Sequence, residues 1–94
     1  TKGLQYVKKL GENSGMLFIF DIPKVPTYWN KNVLIPLDFC CVDGNYVIRQ
    51  IGQFKPYKDG NQSFKGSYKS IMFLEVNSGW FKRNNTIPFG GYTW

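Results

Sequence analysis

A turn signal between two apolar runs constrains the fold more than any other feature of this sequence. Residues 43–45 (Asp-Gly-Asn) are typical of a tight β-hairpin turn, and they separate residues 33–42 from residues 46–54. Apolar side chains in the first run share one face by the period of two that characterises a strand: Val33, Ile35, Leu37, Phe39 and Cys41. Because Pro36 cannot donate to a strand ladder, we expect an edge strand or a bulge there. The sequence therefore predicts an antiparallel strand pair in the middle of the chain.

Apolar runs elsewhere predict further strands. Residues 16–20 are apolar at every position, which is typical of a strand that is covered on both faces. Residues 27–31 and 71–76 predict two more strands. The chain ends in a Gly-Gly turn and a short last strand within residues 87–94.

Two short helices and one long loop complete the prediction. Apolar side chains recur every three residues over residues 3–10, which predicts an amphipathic helix. A second helix is predicted over residues 79–84, with Asn77 or Ser78 as its cap and basic residues in its last turn. Residues 55–69 are rich in Lys, Gly and Ser and predict a mobile surface loop. The fold class is therefore mainly β, a small sandwich or partly closed barrel with two short helices, and α+β layering is the alternative.

Composition predicts one small domain, residues 1–94, with an aromatic core. Apolar residues make up 43% of the chain and aromatic residues 18%. The net charge is +6, but the basic residues are spread along the chain with no run longer than two, which favours a solvating role. The same charge also allows binding of single-stranded nucleic acid, an interpretation that is less favoured than the solvating role. No apolar run approaches the roughly 20 residues of a membrane span, and no signal-peptide pattern is present.

Three ordered blocks resemble a known family. Residues 3–20 (GLQYVKKLGENSGMLFIF), 28–44 (YWNKNVLIPLDFCCVDG) and 68–85 (YKSIMFLEVNSGWFKRNN) are similar to blocks of the domain of unknown function 192 family. That family shows a Gly-Leu-Met helix, a GMLF strand, a Phe-Trp-Met-Lys-Asn segment that runs into Ile-Pro-Leu-Asp, and a late Leu-Glu strand. The resemblance implies a small, jelly-roll-like, all-β domain of bacteria and archaea, often in exported proteins, whose activity is not established.

The chain departs from the family pattern at several positions. Gln5 and Asn30 stand where the family has Met, and a Gly-Gly pair stands near the C-terminus where the family has Gly-Asp. Relatives carry a strand before the first helix, and this chain starts too late to supply it. We therefore expect an open sheet edge at which a second copy could pair to form a homodimer.

The cysteine and histidine content limits the chemistry. Without histidine, the chain can form neither Ser-His nor Cys-His catalytic pairs nor histidine-based metal sites, and we expect no cofactor and no metal. Cys40 and Cys41 are adjacent, so in a strand they point to opposite faces and cannot easily form a disulfide. Free thiols favour a reducing, cytoplasmic compartment, whereas the resemblance points to export.

Asp38 and Glu75 are the two acids within predicted strands. A carboxylate-based hydrolase that uses this pair is one alternative function, and it requires both groups in one cleft. The structural interpretation is that each acid has a basic or backbone partner, and Arg49 on the next hairpin strand is the expected partner of Asp38.

The leading prediction is a non-enzymatic small-ligand or interaction domain. An aromatic face beside a cation and an amide suits a polar ligand such as a saccharide, and the expected pocket comprises Trp29, Lys31, Asn32 and Asp38. The structural alternative places Trp29 in the core and lets Asn32 close a turn through its side chain.

Overall fold

The structure, a computed structural model that describes residues 4–84, contains two antiparallel sheets. The elements follow in the order β1 (Gly15–Lys24), β2 (Thr27–Trp29), β3 (Leu37–Val42), β4 (Ile48–Phe54), a 3₁₀ turn (Tyr57–Asp59), β5 (Ser63–Lys65), β6 (Ser70–Asn77) and α1 (Trp80–Arg83). The larger sheet has the strand order β1-β6-β3-β4, and β2 and β5 form a separate two-stranded ribbon. No helix within residues 4–84 is long and apolar enough to cross a membrane.

The ribbon packs on one face of the four-stranded sheet, which we call the inner face. Tyr28 of β2 stacks on Phe73 of β6 with ring centroids 3.9 Å apart. Phe64 of β5 lies against Phe39 of β3 at 4.5 Å. Because the two sheets meet through aromatic rings and do not close on each other, the fold is a mainly β, sandwich-like structure. This confirms the predicted class and its sandwich form.

The hairpin of β3 and β4 forms the centre of the inner core. Phe39 is 2% exposed and stacks on Phe54 at 4.7 Å and on Phe73 at 5.0 Å. Gly52 lies opposite Phe39 in the register, and a Cβ atom at Gly52 would be 2.4 Å from the Phe39 ring. The ring therefore occupies the space that a side chain at position 52 would need.

The other, outer face of the four-stranded sheet is covered only in part. Phe81 of α1 packs on Cys40 and Val76 there. Leu17 and Ile19 of β1 point to this face and are 50% and 70% exposed. The prediction that residues 16–20 are covered on both faces was therefore wrong, since β1 is covered on the inner face alone.

The predicted helix over residues 3–10 is not formed in the part that the structure describes. Residues 4–10 make turns and one isolated bridge between Gln5 and Val33. Tyr6 has a positive φ of 64°, which interrupts a helix, and its N–H donates to the Asn32 carbonyl at 2.8 Å. Leu4, the first of the apolar residues at this spacing, is buried in the core, so the spacing does not mark the face of a helix.

The strand predicted over residues 33–42 is shorter than expected. β3 begins at Leu37, directly after Pro36, and it is a central strand between β6 and β4 rather than an edge strand. Pro36 therefore removes no hydrogen bond from the ladder, and its carbonyl accepts a hydrogen bond from Ser78 N–H at 3.3 Å. On the hairpin's other side β4 begins only at Ile48, because Tyr46 adopts a positive φ in the turn.

Residues 55–69 are not the single irregular loop that the sequence predicts. This segment contains the 3₁₀ turn and β5, whose three residues pair with β2. β2 itself ends at Trp29, two residues earlier than predicted. The second predicted helix is confirmed as α1, but it follows Gly79 in a left-handed conformation, and no side-chain hydrogen bond from residues 4–84 caps it. The last predicted strand, residues 87–94, lies outside the described residues.

Candidate functional site

A cleft of about 700 Å³ lies between β1 and the segments that cover the inner face beside it. Its lining combines apolar and aromatic side chains with the polar groups of Gln5, Lys24, Thr27 and Glu75. We call it the Glu75 cleft, and its lining includes Leu4, Gln5, Phe18, Phe20, Lys24, Tyr28, Trp29, Val33 and Glu75. A concave apolar wall with few polar groups is the usual form of a small-molecule site.

Glu75 is the unusual residue of this cleft. It lies on the inner face of β6, between Met16 of β1 and Phe39 of β3, and it is 5% exposed. Its carboxyl group has no hydrogen bond and no ion pair with any side chain or backbone group of residues 4–84, although buried carboxyl groups are nearly always paired. Burial raises the pKa of Glu75 to about 7. Near neutral pH the cleft therefore contains both the neutral and the ionised carboxyl.

Tyr28 lines the same cleft as Glu75. Its ring is fixed by the stack on Phe73, and the ring of Phe18 lies 5.7 Å away. Burial, with a smaller contribution from the negative charge of Glu75, raises the pKa of Tyr28 to about 12. The phenol is therefore neutral at physiological pH, and it offers the cleft a hydroxyl group and an aromatic surface.

Trp29 and Lys31, two residues of the predicted pocket, lie together at the edge of the cleft. Trp29 is 51% exposed, so it is not a core residue, and its Nε1 donates to Asn61 Oδ1 at 2.7 Å. The Lys31 Nζ lies 5.4 Å from the centroid of the Trp29 ring. Trp29 also lines a neighbouring groove of about 530 Å³ along the ribbon.

Asn32, the third residue of the predicted pocket, acts through its backbone. It has a positive φ of 61°, and its carbonyl accepts the Tyr6 N–H at 2.8 Å. This contact places Leu4 and Gln5 over the inner face, where they line the cleft. Asparagine tolerates the left-handed conformation better than most residues, which explains its use here.

Asn30 is a residue whose importance the sequence did not reveal. It is fully buried, its Nδ2 donates to the carbonyls of Lys55 and Gly60 at 2.9 and 3.0 Å, and its Oδ1 accepts from Gln62 N–H at 2.8 Å. These three bonds tie residues 55–62 to the end of β2. In the sequence, only its place in the polar run of residues 30–32 marks Asn30 as unusual.

Asp38, the fourth residue of the predicted pocket, lies on the outer face, away from the cleft. It is fully buried opposite Val76 and Gln53, and its Oδ2 accepts the Gly79 N–H at 2.7 Å. Its Oδ1 is buried without a hydrogen-bond partner among residues 4–84. Burial raises the pKa of Asp38, and the hydrogen bond from Gly79 opposes that rise.

The expected pair between Arg49 and Asp38 is not formed. Arg49 Nη1 lies 3.3 Å from Asp43 Oδ2, and its guanidinium stacks on the Tyr68 ring at 4.0 Å. The register explains the difference, because it places Gln53 opposite Asp38 and leaves Arg49 beside the irregularity between Cys41 and Val42.

The hydrolase alternative fails on geometry. In the antiparallel register Asp38 pairs with Val76 and Glu75 pairs with Phe39. Since successive side chains point to opposite faces, Asp38 and Glu75 lie on opposite sides of the sheet and cannot flank one bond.

The two thiols are buried on opposite faces of β3. Cys40 lies in the outer cluster and Cys41 in the inner core. Burial raises the pKa of Cys40 to about 11 and that of Cys41 to about 12, so both thiols are protonated at neutral pH. Within residues 4–84 no group of three or more His, Cys, Asp or Glu side chains could hold a metal ion.

Comparison with known proteins places the chain beside uncharacterised relatives. A crystal structure of a protein of unknown function from Novosphingobium aromaticivorans has a TM-score of 0.84 and 30% sequence identity; the match covers 93% of this chain and 61% of that one. A candidate transcription regulator from Sinorhizobium meliloti has a TM-score of 0.83 and 28% identity, with 93% and 67% covered. The chain thus spans about three fifths of the length of the Novosphingobium protein.

No curated protein matches the sequence significantly. The model of one protein family, DUF192, described as "Uncharacterized ACR", matches residues 1–88. This match covers nearly the whole chain and agrees with the order of the three sequence blocks. The chain therefore belongs to the domain of unknown function 192 family.

Proposed function

We propose that this protein is a non-enzymatic small-ligand-binding domain and that the Glu75 cleft is its binding site. The observation that carries the proposal is the carboxyl group of Glu75, which is 5% exposed on the wall of an aromatic cleft without a hydrogen-bond partner among residues 4–84. Burial weakens the hydration of the ionised carboxyl and so disfavours its charge, as the raised pKa of Glu75 shows. A ligand that supplies the missing partner would remove that penalty, and the aromatic wall would bury the rest of the ligand.

The titratable groups of the cleft support binding rather than catalysis. Tyr28, with a pKa of about 12, is a poor proton donor or acceptor at neutral pH. The second strand carboxylate, Asp38, lies on the other side of the sheet. Glu75 is thus a single acid without the second group that general acid–base hydrolysis uses.

The residues of the predicted pocket take different parts in this proposal. Trp29 and Lys31 form the outer edge of the site, where a ligand ring could stack on the exposed indole. Asn32 holds the segment that forms one wall, and Asp38 stabilises the turn before α1 from the outer face. Of these four residues, Trp29 and Lys31 are the two that contact the ligand in this proposal, beside Glu75 and Tyr28.

The proposal is tested by two-dimensional NMR with three small probes, benzylamine, benzyl alcohol and methyl α-glucoside. We expect at least one probe to shift the resonances of Tyr28, Trp29 and Glu75 in a saturable manner. The change Tyr28→Phe removes the hydroxyl group and retains the stacked ring, so it should weaken binding without unfolding the protein. Shifts that are absent, or that lie on other surfaces, would refute the site.

Nucleic-acid binding is the second candidate, favoured by the net charge of +6 and by the similarity to the Sinorhizobium protein, a candidate transcription regulator. The lysines among the described residues are all exposed, so they could contact phosphates. A gel shift with single-stranded and duplex DNA at low salt tests it. Binding that weakens steeply as salt rises would support it, and no retention at low salt would exclude it.

A further inference from the structure

We propose that the Glu75 cleft binds an organic cation, an ammonium group carried on an apolar body, with Glu75 as its counter-ion. This inference rests on the proposed function and specifies the class of ligand. It follows from three features of the cleft: the charge of its buried acid, the surroundings of that acid, and the behaviour of its aromatic rings toward cations.

The first feature is that Glu75 lacks a counter-ion. The titratable side chains that face it are Tyr28 from β2 and Lys24 at the end of β1, and the buried thiol of Cys41 lies on the neighbouring β3. Its direct neighbours across the strands, Met16 and Phe39, are uncharged. Lys24 does not neutralise the carboxylate, because its Nζ lies on the Phe20 ring at 4.7 Å and forms no ion pair with Glu75. An ionised Glu75 is therefore an uncompensated negative charge on the cleft wall.

The second feature is the shape of the surroundings. The cleft that Glu75 lines is also lined by the rings of Phe18 and Tyr28, which lie 5.7 Å apart, and by Leu4 of the N-terminal segment. These side chains can bury the apolar body of a ligand, and Glu75 is the acidic group among the residues that line the cleft. An anionic group would be repelled beside an ionised Glu75.

The third feature is that aromatic rings of this region already hold cations. The Nζ atoms of Lys24 and Lys31 lie over the rings of Phe20 and Trp29, both of which line the cleft. The face of an aromatic ring attracts a cation through its quadrupole. An ammonium group between Tyr28, Phe18 and Glu75 would combine this attraction with a charge-assisted hydrogen bond.

Calorimetry with matched probes tests the ligand class. Benzylamine, benzyl alcohol and benzoate share one ring and differ in charge. At pH 8 we expect benzylamine to bind about tenfold or more tightly than benzyl alcohol, as a charge-assisted hydrogen bond predicts, and benzoate not to bind. Lowering the pH to 5 should remove the advantage of the amine, because Glu75 is then protonated whereas benzylamine keeps its charge.

The matched variants are Glu75→Gln and Glu12→Gln, since Glu12 is exposed and lies outside the cleft. Glu75→Gln should equalise the affinities for benzylamine and benzyl alcohol, and Glu12→Gln should leave the tenfold difference intact. If the alcohol binds as tightly as the amine in the unmodified protein, or if both variants lose the difference, the cationic class is overturned while ligand binding in the cleft stands. If no probe binds, the proposed function fails together with this inference.

Discussion

At the scale of single residues, the ring of Phe39 occupies the space that a side chain at position 52 would need. A Cβ atom at position 52 would lie 2.4 Å from Phe39 Cζ, and the ring cannot retreat because Phe54 and Phe73 stack on it. We therefore expect Gly52→Ala to lower the free energy of unfolding by about 2 kcal/mol. Gly44→Ala is the control, since no atom lies within 4 Å of a Cβ there. Equal stabilities of the two variants in urea unfolding would contradict this packing.

The two cysteines give a second prediction at this scale. With a pKa of about 11, Cys40 has a thiolate fraction of about one in a thousand at pH 8, and that of Cys41 is lower still. We expect Ellman's reagent to label neither thiol in the folded protein and both in guanidinium chloride. Rapid labelling of the folded chain would show that one of the two side chains reaches solvent.

At the scale of elements, the ribbon of β2 and β5 depends on Asn30. Replacing Asn30 by Ala removes three hydrogen bonds and leaves the carbonyls of Lys55 and Gly60 without these partners. We expect a loss of about 2–4 kcal/mol in the free energy of unfolding and faster amide hydrogen exchange in residues 62–65. Asn45→Ala, in the exposed hairpin turn, is the matched control and should change neither quantity. Unchanged exchange in the Asn30 variant would show that β5 is held by other contacts.

The elements that the sequence predicts are those whose signals are local. The hairpin is encoded in consecutive residues, because Asp43 Oδ1 accepts the N–H groups of Asn45 and Val47 and so closes the turn itself. β5 carries no such signal, since its three residues become a strand only by pairing with β2, more than thirty positions away. For the same reason the predicted N-terminal helix was wrong: the bond from Tyr6 to Asn32 is a long-range contact that outweighs the spacing of the leucines.

At the scale of the whole molecule, the packing of the ribbon on the four-stranded sheet determines which residues can form one site. The sequence indicates Asp38 and Glu75 as unusual acids and Trp29 as a candidate contact. It does not assign the acids to opposite faces, because that depends on the register between β3 and β6. The sequence does not indicate that Tyr28 lines the cleft. In a strand of only three residues, the alternation of side chains does not show which of them face the four-stranded sheet. The cleft exists only where the layers meet, so no single segment encodes it.

The stability of the whole molecule should report on Glu75 through its pH dependence. The carboxyl group has an ordinary pKa of 4.5 and a pKa of about 7 in the folded chain, so between these values the folded chain retains a proton that the unfolded chain has released. The contribution of Glu75 to the free energy of unfolding is therefore fully present below pH 4.5. It falls by about 3 kcal/mol as the pH rises to about 7 and then stays constant.

The change Glu75→Gln removes this titration, so the variant should gain stability relative to the unmodified protein between pH 5 and pH 8, whereas Glu12→Gln should follow the unmodified protein throughout. Urea unfolding at pH 5 and pH 8 measures the difference, and parallel pH profiles for all three proteins would show that Glu75 titrates normally.

A residue that destabilises its own fold at neutral pH is typical of a binding site, because the free energy lost in folding is regained only when a ligand pairs with the charge. Benzylamine at one fixed concentration and pH 8 should accordingly raise the stability of the unmodified protein by more than that of Glu75→Gln, since the stabilisation grows with the affinity of the folded state for the ligand.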